Sequence, residues 1–468
     1  MAGRIRDEDI ALVRERSPIA TVVAEHLALR NAGGSELKGL CPFHDEKSPS
    51  FHVSPQRGYY HCFGCGEGGD VITFVEKVEH LSFTEAVERL AARANVELRY
   101  EGGSAAPRQQ HGQRTRLVEA HAAAQEFYVG QLESAEAKIG RDFLTERGFD
   151  SSAAAAYSVG YAPAGWDTLV RHLTARGFSR AELTTAGLAR EGQRGAIDRF
   201  RGRLVWPIRD ITGDVIGFGA RRLREDDSGP KYLNTPETPL YKKSSVLYGV
   251  DLAKKEIARQ HQAVIVEGYT DVMACHLAGV ATAVATCGTS FGAEHISVLR
   301  RLLMDQDEFR GEVVFTFDGD AAGQKAALRA FADDQRFVSQ TFVAVEPAGL
   351  DPCDLRLAHG DAAVRDLIAR RVPMFEFAIK STLSRHNLEI PEGRVAALAA
   401  AAPLVGQIRD RSLRPEYARR LAGWLGMEVE PVMSRVAEVA GGSANQPGHG
   451  RAVAPAQRRP DAAATDAA

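Results

Sequence analysis

The sequence predicts a multidomain chain that combines α+β and α/β parts, and three observations predict it. Two Cys/His pairs near the N-terminus read as a small ribbon closed by a metal. An arginine-rich stretch between residues 190 and 224, set among strand-like and helix-like patterns, reads as a mixed basic α/β subdomain. Apolar runs after residue 261, each ending in acids and then a helical pattern, read as a parallel sheet with flanking helices. Helical periodicity over 371–440 adds a C-terminal helical bundle.

The pairs are Cys41-Pro-Phe-His44 and Cys62-Phe-Gly-Cys65, seventeen residues apart. Thiolate and imidazole at two-residue spacing select tetrahedral zinc, because each tight turn aims both side chains at one ion. Pro42 stiffens the first turn, and Gly64 and Gly66 suit the second. Four ligands, Cys41, His44, Cys62 and Cys65, leave no open position. The single Zn²⁺ is therefore read as structural, stabilising an N-terminal zinc ribbon too small to hold itself together. Any chemistry must lie elsewhere.

At 468 residues the chain has room for two to four domains. A charged N-terminus and the lack of any run of about 18 apolar residues argue against a signal peptide and a membrane span, so a cytoplasmic protein is expected. The other cysteines, Cys275, Cys287 and Cys353, are scattered as in a reducing compartment. The net charge of −3 hides an asymmetry: residues 190–224 carry nine arginines, no lysine and four acids. That excess suits a polyanion, and equally a solvated basic face.

Two short helices are expected around Ile10 to Leu27, broken at Ser17-Pro18, and a hairpin over Ser50–Tyr60 feeds the second metal pair. Helices from about Asp70 to Val78 and from Phe83 to Ala94 close a zinc-binding domain over 1–100. Residues 101–114 lack large apolar side chains and read as a flexible linker. The basic subdomain spans 115–260 and holds the hairpin Leu204–Ile208 and Val215–Phe218. A sheet subdomain spans 261–370, the bundle 371–440 and a disordered tail 441–468.

Strand Ala263–Val266 ends in Glu267-Gly-Tyr-Thr-Asp271, and strand Val313–Phe317 in Asp318-Gly-Asp320-Ala-Ala-Gly323. Side chains at the carboxyl ends of neighbouring parallel strands converge in one crevice, so Glu267, Asp318 and Asp320 should cluster there. Cations must offset that repulsion, and hard oxygens without cysteine or histidine suit Mg²⁺ or Mn²⁺. About two such ions fit an in-line phosphoryl displacement. Asp351-Pro-Cys-Asp354 follows a third strand, Phe342–Val345, and reads as a further carboxylate or as a bare turn.

Cys41-Pro-Phe-His44-Asp-Glu-Lys-Ser-Pro-Ser-Phe51 with Tyr60-His-Cys-Phe-Gly-Cys-Gly66 resembles the zinc-binding domain of bacterial replicative DNA primases. The Glu267 and Asp318 segments look like the two signatures of the Toprim fold. Arg199–Asp210, Val215–Arg221 and Pro230–Glu237 are similar to the primase polymerase core. The resemblance implies a DNA primase, a DNA-dependent RNA polymerase that starts short RNA primers de novo from ribonucleoside triphosphates on single-stranded DNA, acting as a monomer at replication forks on the nucleoid. It implies Glu267, Asp318 and Asp320 as catalytic residues and Glu267, Asp271, Asp318, Asp320 and Asp351 as the Mg²⁺ or Mn²⁺ set. Arg199, Arg201, Arg203, Arg221, Lys231 and Lys243 would line the template and nucleotide groove. Phe43, Phe51, Tyr59, Tyr60 and Phe63 are candidates for stacking on bases or for a core.

Two departures stand out. The family usually has Asp-Pro-Asp where this chain has Asp351-Pro-Cys353, with Asp354 as the possible substitute. The family also ends in a helical domain that docks on the replicative helicase; here the bundle is read as part of the core, so that dock is expected to be absent. No Gly-Lys dipeptide occurs, which argues against a fused helicase with a P-loop. A non-catalytic zinc-containing single-strand binder and a Toprim nuclease or topoisomerase stay open as alternatives.

Overall fold

The structure, a computed structural model, describes residues 4–101, 112–193, 195–304, 311–318, 340–408 and 410–442. It divides into two compact units, Met1–Phe377 and Ala378–Ala468. Most of the expected linker, and the expected tail beyond Gly442, lie outside the described residues. The last two linker residues open the helix Gln113–Gln131.

In the first unit, strands Arg30–Gly33, Glu36–Gly39, Phe51–Ser54, Tyr59–Cys62 and Gly68–Asp70 form an antiparallel sheet in sequence order. The hairpin read from sequence lies at its centre, with Phe51 opposite Cys62, and so carries the second metal pair to the sheet end. Asp70 caps the helix Val71–Glu79 by accepting the Thr73 N–H, and a Ser82/Glu85 capping box starts the helix Phe83–Ala94. Arg4–Ile5 pairs with Tyr100–Glu101, bringing the two ends of this segment together. Phe51 and Tyr60 are fully buried, stacked on each other at 5.1 Å and packed around Phe74 with Phe43. Of the five aromatics considered for stacking, only Tyr59 and Phe63 are exposed.

A second antiparallel sheet has the order Tyr232–Asn234, Val215–Arg222, Arg203–Arg209, Gly160–Ala162. Its central hairpin closes at Asp210, whose Oδ1 accepts the N–H groups of Thr212, Gly213 and Asp214 at 2.9–3.1 Å. The third sheet has six strands in the order Leu247–Tyr248, Ala283–Thr286, Gln262–Val266, Glu312–Asp318, Gln340–Glu346, Val372–Pro373. The middle four are parallel and the two edges antiparallel. The helix Tyr269–Leu277 packs on Pro352–Ala369, and Val250–Gln260 packs on Ala293–Leu303. Ala283–Thr286 is a parallel strand too short and alanine-rich to stand out in the sequence.

One apolar cluster runs without interruption from Leu117 to Ile368 and unites the second and third sheets. Trp206 stacks on Tyr269 at 5.6 Å and 9°, fixing the antiparallel sheet to the loop that carries Glu267. A separate cluster, Ile5 to Val96, serves the zinc segment. Polar contacts join the two. Arg89 pairs with Glu79 of its own segment and with Asp214 of the hairpin turn, both at 2.5 Å. Lys254 donates to the carbonyls of Glu25 and Ile211, and Arg300 pairs with Asp45 at 3.0 Å.

The second unit packs helices Pro391–Gly406, Leu413–Leu425 and Val429–Gly442 on one another, with Ala397, Ala401, Val405, Leu421, Leu425 and Val432 buried.

Candidate metal centres and nucleic-acid interface

The ligand atoms of Cys41, His44, Cys62 and Cys65 all lie within 4.8 Å of one another. Cys41 Sγ is 3.9 Å from Cys65 Sγ, and Cys62 Sγ is 3.8 Å from His44 Nδ1. With Zn–S bonds of about 2.3 Å, the edges of a tetrahedral site are about 3.8 Å long, which these two edges match, so the cluster suits one tetrahedral zinc. Its outer contacts are built too. Glu46 sits 3.2 Å from His44 Nε2 and accepts the Cys41 and Ser50 N–H groups, tying imidazole and backbone to one carboxylate. Gly64 is required by close approach: a Cβ there would meet His44 Nε2 at 2.6 Å.

At the third sheet, Glu267 stands exposed at the end of Gln262–Val266, and Asp271 lies one helical turn later, accepting the Gly268 N–H at 2.9 Å. Asp351 caps the helix Pro352–Ala369 through the Asp354 N–H. These three carboxylates line one cavity of about 60 Å³ with Glu346, Thr316, Leu350, Pro352 and Leu367. Glu346 is the acid that the motif reading missed; it ends the strand Gln340–Glu346, so the strand-end logic applied to Glu267 would have found it. The backbone of Asp318 pairs level with Glu346 at this same sheet end. Asp320 lies outside the described residues.

Cys353 and Asp354 point elsewhere. Cys353 is buried in the apolar cluster, and burial pushes its thiol up to about 12. Asp354 is held by Arg147 at 2.7 Å and does not line the cavity.

The basic residues divide by environment. Arg199 donates two hydrogen bonds to the Asn234 carbonyl, at 2.7 and 3.2 Å. Asn234 in turn accepts the Tyr269 hydroxyl at 2.9 Å and donates to the Cys287 carbonyl, so the arginine segment is bolted to the loops of the acidic pocket. Arg221 lies 4.1 Å from the Phe143 ring centre and Arg201 3.9 Å from that of Trp166. Burial lowers the pKa of Arg199, Arg201 and Arg221. Lys231 is exposed and Lys243 half-buried. Arg203 is a correction to the groove. It is 3% exposed, paired with Asp227 at 2.6 Å and donating to the Pro230 carbonyl, so its charge is spent inside the sheet. Gly219 keeps this junction tight, since a Cβ there would meet the Tyr269 hydroxyl at 2.2 Å.

Family models match the chain in four places: the CHC2 zinc finger at 5–106, the N-terminal domain of the DNA primase catalytic core at 127–254, the Toprim domain at 261–344 and the DnaB-helicase binding domain of primase at 375–430. A DNA primase of Streptomyces coelicolor is 60% identical over 461 residues, 98% of this chain and 71% of that protein. The chain belongs to the bacterial DNA primase family. The RNA polymerase domain of Mycobacterium tuberculosis primase, solved with double-stranded DNA, superposes with a TM-score of 0.64 at 59% identity, over 67% of this chain and 99% of that one. The zinc-binding and RNA polymerase domains of Aquifex aeolicus primase give a TM-score of 0.59 at 31% identity, over 91% of this chain and 98% of that one.

The family's activity, synthesis of RNA primers by a DNA-dependent RNA polymerase, is this chain's, with a structural zinc in the ribbon. The helicase-binding match corrects the expected absence of a helicase dock. The physical reason is the independent core of the helices from Ala378 onward, which helical periodicity alone could not separate from the helices before them. Among the described residues, no helix is long and apolar enough to cross a membrane.

Proposed function

We propose that primer synthesis takes place in the crevice between the acidic pocket and the arginine-bearing sheet. The observation that carries this reading is the convergence of Glu267, Asp271 and Asp351 on one cavity, with the backbone of Asp318 at the same sheet end. Donors that are all oxygen suit Mg²⁺ or Mn²⁺, and the nearby thiols of Cys275 and Cys353 are packed away in the core. Glu267, Asp271, Asp318, Asp320 and Asp351 hold about two such ions, Glu267, Asp318 and Asp320 being the catalytic members. When bound, the ions supply an activated attacking hydroxyl and neutralise charge on the transferring and leaving oxygens.

The chain's own residues bind and orient. Arg199, Arg201, Arg221, Lys231 and Lys243 take the phosphates of a single-stranded DNA template and of ribonucleoside triphosphates. The Asn234 contacts to Arg199, Tyr269 and Cys287 keep those phosphates in register with Glu267. Segment 375–430 takes the replicative helicase. The setting is cytoplasmic, at replication forks on the nucleoid, and the working species is a monomer. The domain roles follow: 1–100 zinc-binding, 115–260 basic, 261–370 catalytic.

The test is ribonucleotide incorporation on single-stranded templates with Mg²⁺ or Mn²⁺. Glu267→Gln should abolish dinucleotide formation with the fold intact, and Asp351→Asn should raise the ion concentration needed for half-activation. Near wild-type synthesis by a folded Glu267→Gln protein would overturn the assignment.

A further inference from the structure

Trp166 is 63% exposed, whereas Trp206, in the central strand pair of the basic sheet, is fully buried. Tryptophan is enriched at contact surfaces, where its apolar face can be covered while its N–H stays in water. This one is not on a loose loop. Its carbonyl accepts the Asp198 N–H at 2.7 Å, and the neighbouring Ala164 N–H donates to Glu136 at 2.8 Å. Asp198, itself 1% exposed, accepts the Leu169 and Val170 N–H groups and so fixes the start of the helix Thr168–Ala175 that follows.

One side of the ring is already occupied. The Arg201 guanidinium carbon lies 3.9 Å from the ring centre, and Arg201 Nη1 is buried without a hydrogen bond among the described residues. Burial lowers the Arg201 pKa, and neighbouring Arg190 lowers it further, as it also does for Arg199. The arrangement is a rigid ring with a cation behind it, beside further arginines. That is the composition of a single-strand platform, in which bases stack on an aromatic face while cations track the backbone.

We propose that the solvent-facing side of Trp166 stacks on an unpaired base of the single-stranded template, with Arg201 holding both the ring and an adjacent phosphate. This rests on the reading of the arginine-bearing sheet as the template groove. It assigns to that groove a base-contacting side chain of a kind that tolerates any sequence, since every base has a π-face.

The experiment uses the full chain and single-stranded oligonucleotides, as a complete template and as a series with one abasic site moved along it. Only three tryptophans are present, so intrinsic fluorescence reports on Trp166 once Trp166→Phe is compared with wild type. Binding should quench wild-type emission, and the quenching should be lost in Trp166→Phe, whose affinity stays within about three-fold. Trp166→Ala should weaken binding about ten-fold or more with an unchanged salt slope, as loss of one stack without loss of a phosphate contact requires. At one abasic position the wild type should lose affinity and Trp166→Ala should lose no more. Unchanged affinity in Trp166→Ala, or penalties that add at every abasic position, would overturn the stacking. Arg221→Gln serves as the separate check on the groove: a salt slope unaltered in that variant refutes the groove reading itself, while a reduced slope beside an inert Trp166→Ala refutes the stacking alone.

Discussion

Replacing Arg89 by methionine should loosen the zinc segment from the polymerase core in a manner that grows with pH. Arg89 is 16% exposed and holds Glu79, 5% exposed, and Asp214, 30% exposed; it also donates to Thr212 at 3.0 Å. The Asp214 pair is partly solvated and should count for about 1 kcal/mol or less. Glu79 dominates, because removing one partner of a buried pair costs roughly 3–5 kcal/mol while the other stays charged. Burial already pushes the Glu79 carboxyl up to about 7, and loss of Arg89 would push it higher.

A carboxyl raised in the folded state binds more protons than in the unfolded chain, so its contribution is complete below about pH 4.5 and is lost as pH rises through the folded value. Nearby His26, lowered to about 3 by burial, has the opposite slope, but that slope ends at about pH 6.5. The penalty of Arg89→Met should therefore be about 1–2 kcal/mol at pH 6, where Glu79 is protonated and only hydrogen bonds are lost, and should rise by up to about 1.4 kcal/mol per pH unit above pH 7. Urea titrations read by release of zinc to a chromogenic chelator report this segment alone, since its apolar cluster is separate. A penalty that stays flat between pH 6 and pH 9 would refute the reasoning.

Other expectations are simpler. Cys62→Ser should release zinc and unfold the ribbon while near-ultraviolet circular dichroism of the core persists; extension of a preformed RNA primer should then survive far better than de novo initiation. Arg203→Gln should behave as a stability mutant, lowering the denaturation midpoint by an amount equivalent to roughly 2–4 kcal/mol without altering the salt slope of template binding, because its charge is consumed by Asp227. Truncation after Phe377 should leave primer synthesis on naked template intact and remove stimulation by the replicative helicase, a difference that a primer assay with and without helicase resolves.

The elements best read from sequence were those with strong local signals. Cysteine spacing carried the zinc cluster, and the continuous apolar runs carried three of the four parallel strands. Asp271 entered the acidic set through the family resemblance, Asp351 first through its place after the third strand and then through the resemblance, and the structure brings both to the Glu267 cavity. What stayed hidden depended on partners distant in sequence. Arg203 and Arg201 are two residues apart and both look basic, yet one is sealed by Asp227 and the other lies on Trp166. Phe51 and Phe63 look alike in a motif, but only the strand register puts the first inside. Helical periodicity marks which face of a helix is apolar and is silent on where one core ends and the next begins, so it cannot separate the helices after Ala378 from the core.

The pairing of Arg4–Ile5 with Tyr100–Glu101 closes a circuit within the first hundred or so residues, and every member of the zinc segment's apolar cluster falls inside it. The polymerase core has no such early closure, since its own cluster draws on Leu367 and Ile368. During synthesis at about 5–20 residues per second, the ribbon can fold and capture its ion tens of seconds before the last of those side chains leaves the ribosome. A nascent molecule can thus carry a finished zinc-binding head while its polymerase core is still incomplete.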